Sequence, residues 1–246
     1  MKVVLLGTGD AIGTPKIGCH CPACQDALDG GASRRLRFSV LVEGPGGKVL
    51  VDTSPDLRWQ MISRGLDHVD GVIWTHGHYD HYAGFGDFHR VQNHVPVYGL
   101  KDTLDYILLY LGFLKPGRHD VDWFKPFELA GLTFTLFPVN HPPIKESAGV
   151  MVTEGDKKVV ITGDTNANIS QQSLDIMQDA DLLIIDAIVP PGLNLVKHMN
   201  AADALELSRQ LGAREVVFTH VSHMYPPHTE AVREWPLGKD GMEFII

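Results

Sequence analysis

The sequence predicts an α/β protein (of the α+β type) in which two β-sheets pack face to face with helices outside them. Three observations carry that expectation. Short apolar runs, several of them solidly β-branched, recur along the 246 residues. The early runs are joined by hairpin-like turns such as Gly44-Pro45-Gly46-Gly47, whereas the later ones alternate with helical patterns. Hydrophobic residues make up 44% of the chain and charged residues 21%, which supplies one large core without staples. One domain over residues 1–246 is expected.

In chain order, strands are expected over 2–6, 39–42, 49–51, 71–74, 96–98, 133–137, 150–152, 159–162, 182–185 and 216–219. Runs with so few polar residues suit strands covered on both faces. Helices are expected over 55–64, after a Thr53-Ser54-Pro55 start signal, and over 103–111 and 170–178. A fourth, over 201–211, is stopped by Gly212. No repeat or Pro/Gly/Ser-rich linker divides the chain. The apolar run after Met1 is too short for a signal-peptide core, and no stretch approaches the ~18 apolar residues of a membrane span. A cytoplasmic protein without membrane contact is expected.

The formal net charge of -9 argues against wide contact with a long nucleic-acid backbone, which needs clustered Lys and Arg. A small anionic substrate remains compatible, because bound cations dominate a local field. The 13 histidines are informative through their placement. Thr75-His76-Gly77-His78-Tyr79-Asp80-His81 follows the strand at 71–74 and offers four ligand-type side chains in six positions. In an extended segment residues two apart point the same way, so His76, His78 and Asp80 are expected to converge, with His81 turning toward a second ion as a helix begins. Imidazole and carboxylate suit zinc, manganese or iron. Three more candidates each follow an apolar strand: His141, Asp164 and His220. Singly, Asp164 also reads as a turn or helix cap, His141 as a loop residue, and His220 as a partner in a local hydrogen bond. The joint pattern favours a metal site.

Cys19, Cys21 and Cys24 lie within six residues, a poor disulfide framework and a good metal cluster. His223 is the expected fourth ligand, with His20 as a competitor. Cys3His is a closed set typical of structural zinc, and it would clip a loop around residues 17–32 to the C-terminal part of the chain.

The set His76-x-His78-x-Asp80-His81, then His141, Asp164 and His220, resembles the signature of the metallo-β-lactamase superfamily. The resemblance covers nearly the whole chain. It implies a four-layer αβ/βα sandwich, two mixed sheets flanked by helices, with a dinuclear site of zinc or manganese at one edge. In that pattern His76, His78 and His141 hold one ion, Asp80, His81 and His220 the other, and Asp164 bridges them. Asp164 stands where true β-lactamases often carry Cys, and His78 where oxygen-reducing di-iron relatives carry Glu; both point to hydrolysis. The cysteine loop and the His220/His223 spacing resemble the branch of phosphoribosyl 1,2-cyclic phosphate phosphodiesterases. That implies a small, cyclic phosphodiester substrate, water activated by the two ions, catalytic roles for Asp80 and His198, a structural zinc, and a homodimer. His198, 22 residues before His220, corresponds to an additional active-site histidine, and equally reads as a surface residue near a helix cap. Asp52 resembles the aspartate that supports the ligands, or caps a turn.

Phe85, Tyr106, Tyr110, Phe113, Trp123 and Phe124, within 82–138, are expected mostly in the core, with a substrate wall or dimer face as alternatives. Three other functions share some of these features. A transfer-RNA 3′-processing nuclease has the same ligands, but only 33 residues lie between Asp164 and His198, little room for an RNA-gripping arm. Relatives that assist pyrroloquinoline quinone biosynthesis share the cysteine loop but depart from the ligand motif. A non-enzymatic metal-binding module has no need of the intact set.

Overall fold

The computed structural model describes all of residues 1–246. Its strands, in chain order, are β1 (Lys2–Gly7), β2 (Ser39–Gly44), β3 (Gly47–Val51), β4 (Gly71–Ile73), β5 (Pro96–Gly99), β6 (Gly117–Asp120), β7 (Pro126–Leu129), β8 (Leu132–Pro138), β9 (Ala148–Glu154), β10 (Lys157–Ile161), β11 (Leu182–Asp186), β12 (Glu215–Thr219) and β13 (Glu243–Ile245). The α-helices are α1 (Pro22–Leu28), α2 (Leu57–Arg64), α3 (Tyr79–Tyr82), α4 (Lys101–Leu111), α5 (Gln171–Met177), α6 (Ala201–Gln210) and α7 (His228–Ala231).

Two sheets form, in the orders β13-β1-β2-β3-β4-β5-β6 and β12-β11-β10-β9-β8-β7. Both are mixed. In the first, β1, β2 and β3 pair antiparallel and β3 through β6 parallel. In the second, β7 through β10 pair antiparallel and β10 through β12 parallel.

Strand periodicity sorts the apolar residues into layers. Val3, Leu5, Val40, Val42, Val49 and Val51 of the first sheet meet Phe134, Leu136, Val150, Val159, Ile161 and Ile184 of the second in an inter-sheet core. The alternate residues face outward. Val4, Leu41, Leu50 and Val72 pack on Leu57, Met61, Leu104 and Ile107 of α2 and α4. Val160, Leu183, Ile185 and Phe218 pack on Met177, Ala204 and Leu207 of α5 and α6. The result is the expected helix–sheet–sheet–helix sandwich.

Every expected strand and helix is present, with ends shifted by a few residues at most. The elements not expected are short or polar. β6, Gly-Arg-His-Asp, is a polar edge strand with no hydrophobic signal; β7, β13, α1, α3 and α7 span only three to seven residues. The architecture positions the chemistry. β3, β4, β8, β10, β11 and β12 all deliver their C-terminal ends to one rim of the sandwich, where Asp186 ends β11 and Asp52, His76, His141, Asp164 and His220 follow the other strands.

Candidate metal centre

The ligand motif leaves β4 extended and then coils. His78 is still extended (φ -77, ψ 142) and caps the one-turn helix α3, which contains Asp80 and His81. The alternation expected to bring His76, His78 and Asp80 to one side therefore ends at His78. The helical turn rotates Asp80 away and groups it with His81.

Ligand atoms of His76, His78, His141 and Asp164 all lie within 4.8 Å of one another, and so do those of Asp80, His81, Asp164 and His220. Asp164 is common to both groups. Its Oδ2 lies 3.3 Å from His81 Nε2, 3.2 Å from His220 Nε2, and 3.8 Å from both His76 Nε2 and His141 Nε2. His78 Nδ1 stands 3.0 Å from His76 Nε2 and 3.0 Å from His141 Nε2. All are buried except His78, which is half-buried.

The far side of several rings is anchored, which fixes the tautomer and leaves the other nitrogen for the centre. His81 Nδ1 donates to Asp52 Oδ2 at 2.6 Å. Asp52 also accepts from the backbone N–H and the hydroxyl of Thr75, at 2.9 and 2.8 Å. His76 Nδ1 donates to Thr75 Oγ1 (3.0 Å) and His141 Nδ1 to the carbonyl of Lys197 (3.1 Å). Asp52 (φ 62) and His220 (φ 57) adopt the left-handed backbone region. Such strain persists where the surroundings require that side chain at that point.

The two halves differ electrostatically. Burial holds His76 well below the ordinary histidine range, lowers His78, and brings His141 to about 4, so these rings offer neutral lone pairs. Burial also disfavours charge on His81 and His220, but carboxylates outweigh it. Asp164, Asp80 and Asp52 lift His81 far above its usual range, and Asp164 leads in raising His220 to about 9. In Asp80 and Asp164 burial opposes ionisation and is overcome by the neighbouring histidines, which hold both carboxyls well below the usual range. The half around Asp80 thus demands positive charge. Buried His81 Nε2, Asp164 Oδ1 and both ring nitrogens of His220 have no hydrogen-bond partner. Orphaned polar atoms of this kind are costly unless a cation meets them. The donor set fits two divalent ions with nitrogen and oxygen ligands.

His198 stands beside this cluster. Its ring centroid is 4.7 Å from that of His141 and 4.9 Å from that of His220. Its Nδ1 donates to Asp186 Oδ2 at 2.6 Å. Asn200 caps α6 through bonds from Ala202 and Asp203, which fixes the chain two residues beyond His198. Asp186 is the residue the sequence reading missed. It closes the apolar strand Leu182–Ile185 as Asp52 closes Val49–Val51, and that strand-end acid was the available signal.

Cys19, Cys21, Cys24 and His223 form a separate group, again with ligand atoms within 4.8 Å of one another. His223 Nδ1 lies 3.5 Å from Cys19 Sγ and 3.4 Å from Cys21 Sγ. Cys21 precedes α1, whose first turn brings back Cys24. His20 is not part of the group. The donors suit zinc in a closed site.

The aromatic segment departs from expectation. Phe85 is core, against Trp74 at 4.9 Å, and Trp123 and Phe124 pack against core clusters. Tyr106, Tyr110 and Phe113 are exposed, because they fall on the outer side of α4 and the turn after it.

The family profile described as the Beta-lactamase superfamily domain matches residues 48–221, the stretch from β3 through the His/Asp site to His220. The chain belongs to the metallo-β-lactamase superfamily. Its His/Asp groups are a donor set able to hold metal ions. Among curated relatives it is 32% identical, over its whole length, to an octanoyltransferase of Porphyromonas gingivalis (strain ATCC BAA-308 / W83), and spans 52% of that protein. A solved structure described as a new diphosphatase from the PhnP family superposes with a TM-score of 0.87 at 29% identity, covering 100% of this chain and 97% of the other. Zn(2+)-bound PqqB from Methylobacterium extorquens superposes at 0.84 with 22% identity, covering 100% of both chains, a likeness of fold. No helix is long and apolar enough to cross a membrane.

Proposed function

We propose that the chain hydrolyses a P–O bond in a small phosphodiester, with cyclic phosphates of the phosphoribosyl 1,2-cyclic phosphate type as first candidates. The observation that carries the reading is the His198–Asp186 pair set against two ligand groups that share Asp164. Phosphoryl transfer needs charge neutralisation on one side and a proton for the leaving oxygen on the other.

Divalent ions held by His76, His78, His141, Asp164, Asp80, His81 and His220 would supply Lewis acidity and lower the pKa of water toward about 7. The protein's own groups do the rest. Asp80 is ionised and orients a water through its carboxylate. Asp164 keeps the two ligand groups at a fixed separation. Asp186 holds the Nδ1 proton of His198, so Nε2 is the nitrogen that delivers a proton to the leaving alkoxide. Cys19, Cys21, Cys24 and His223 take a structural zinc, which does not join the reaction.

A second reading is hydrolysis of a diphosphate diester, favoured by the 29% identical diphosphatase of the PhnP family. A panel decides between them: bis(p-nitrophenyl) phosphate, ribosyl 1,2-cyclic phosphate, 2′,3′-cyclic nucleotides, linear diesters, diphosphate diesters and precursor transfer RNA, each with added zinc or manganese. Turnover of cyclic or linear diesters supports the first reading. Turnover restricted to diphosphates selects the second. Cleavage of precursor transfer RNA alone, or no hydrolysis at all, contradicts both.

A further inference from the structure

Beside His78 a cleft of about 340 Å³ opens, walled by α4 and by residues 144–146 of the loop after His141. It is continuous with the metal centre through His78 itself. Its aromatic wall is Tyr106. A Cβ placed on Gly77 would lie 2.8 Å from Tyr106 Cδ1, so the ring rests directly over the glycine between His76 and His78. Any larger residue there displaces the ring. Tyr82 and Tyr110 brace it with edge contacts, at centroid distances of 6.2 and 5.6 Å. Even so, Tyr106 remains 48% exposed. A ring braced by its neighbours and still open to solvent is a preorganised stacking platform.

The opposite wall is tied in place, since Glu146 accepts from the backbone N–H of Thr103 in the first turn of α4 (3.2 Å). This brings exposed Lys145 to the same cleft. An aromatic face, a cation and carboxylates of Asp102 and Glu146 therefore line a single opening next to the phosphate-handling residues. That combination matches a planar base for the ring, a phosphate for the ammonium, and hydroxyl or amino hydrogens for the carboxylates.

We propose that this cleft is a base-binding subsite and that the preferred substrates are nucleotide esters, with the base stacked on Tyr106. The proposal rests on the phosphoester reading for the reaction, and within the small phosphodiesters it moves the first candidates from base-free ribosyl cyclic phosphates to esters of nucleotides. Tyr106 is a specificity residue and touches no reacting atom.

The test uses metal-loaded protein and a matched pair of probes, AMP and ribose 5-phosphate, which differ by the adenine. Calorimetric titration should show AMP binding about tenfold more tightly, the usual scale of one base–aromatic stack. Tyr106→Ala should reduce AMP to the affinity of ribose 5-phosphate and leave the latter unchanged, while Tyr106→Phe keeps the preference. In turnover, Tyr106→Ala should raise KM for a base-bearing ester and leave kcat in place. Equal affinity of the wild type for both probes, or an unchanged preference in Tyr106→Ala, overturns the proposal. Hydrolysis of bis(p-nitrophenyl) phosphate without any adenine preference removes the subsite and leaves the esterase. Adenine preference without hydrolysis supports the subsite and removes the esterase.

Discussion

His198 is held by one short bond, to Asp186 Oδ2 at 2.6 Å, and that bond decides which nitrogen faces the ligands. Replacing His198 with Ala should lower kcat by about 10²- to 10⁴-fold, the range for losing a positioned acid. Metal content, measured by mass spectrometry, should be unchanged. Asp52 acts one step further out, behind His81. Asp52→Ala removes the acceptor of three hydrogen bonds, from His81 and from the amide and hydroxyl of Thr75. The expected result is a 10- to 100-fold loss of metal affinity in competition titrations. At this scale the sequence was informative wherever ligand types clustered or closed a strand. His76 to His81 were legible because so many donors in six positions serve no packing purpose. Asp186 was not, because a lone acid at a strand end looks like any turn residue until His198 is brought beside it.

Two clips tie early chain to late chain. The first is Cys19, Cys21 and Cys24 with His223, and each thiolate removed should cost both an ion and stability. Cys24→Ser is expected to bind one zinc fewer per chain and to melt at lower temperature. The second clip is Arg35, almost fully buried, which donates to Thr8 Oγ1 (2.7 Å), the carbonyl of Gly238 and His228 Nδ1 (2.9 Å). His228 accepts only when neutral. Burial, then the charges of Arg35 and Lys239, hold it at about 4 against 6.5 for a free histidine. A depressed folded value contributes stability above pH 6.5 that is lost as the pH falls toward 4. Urea denaturation at pH 7 and pH 4.5 should therefore show a smaller acid loss for His228→Gln than for the wild type. The cysteine cluster was readable from spacing. The Arg35 clip was not, since its late-chain partners, Gly238 and His228, lie some two hundred positions away and carry no motif.

For the molecule as a whole, the apolar alternation of Val3, Leu5 against Val4, Leu6 is what makes two-sided sheets and hence four layers. That much is local and was readable. Strand order is not local: β1 pairs with β13 across almost the entire chain, and the polar edge strand β6 has no pattern of its own. The consequence of the layering is that strands from both sheets end at one rim, so residues far apart in sequence share one small volume. Anomalous diffraction from crystals loaded with zinc or manganese examines that volume directly. Two peaks are predicted roughly 3.5–4 Å apart, with Asp164 between them, the first among His76, His78 and His141 and the second among Asp80, His81 and His220. A single peak, or peaks elsewhere than on either side of Asp164, would contradict a shared dinuclear centre.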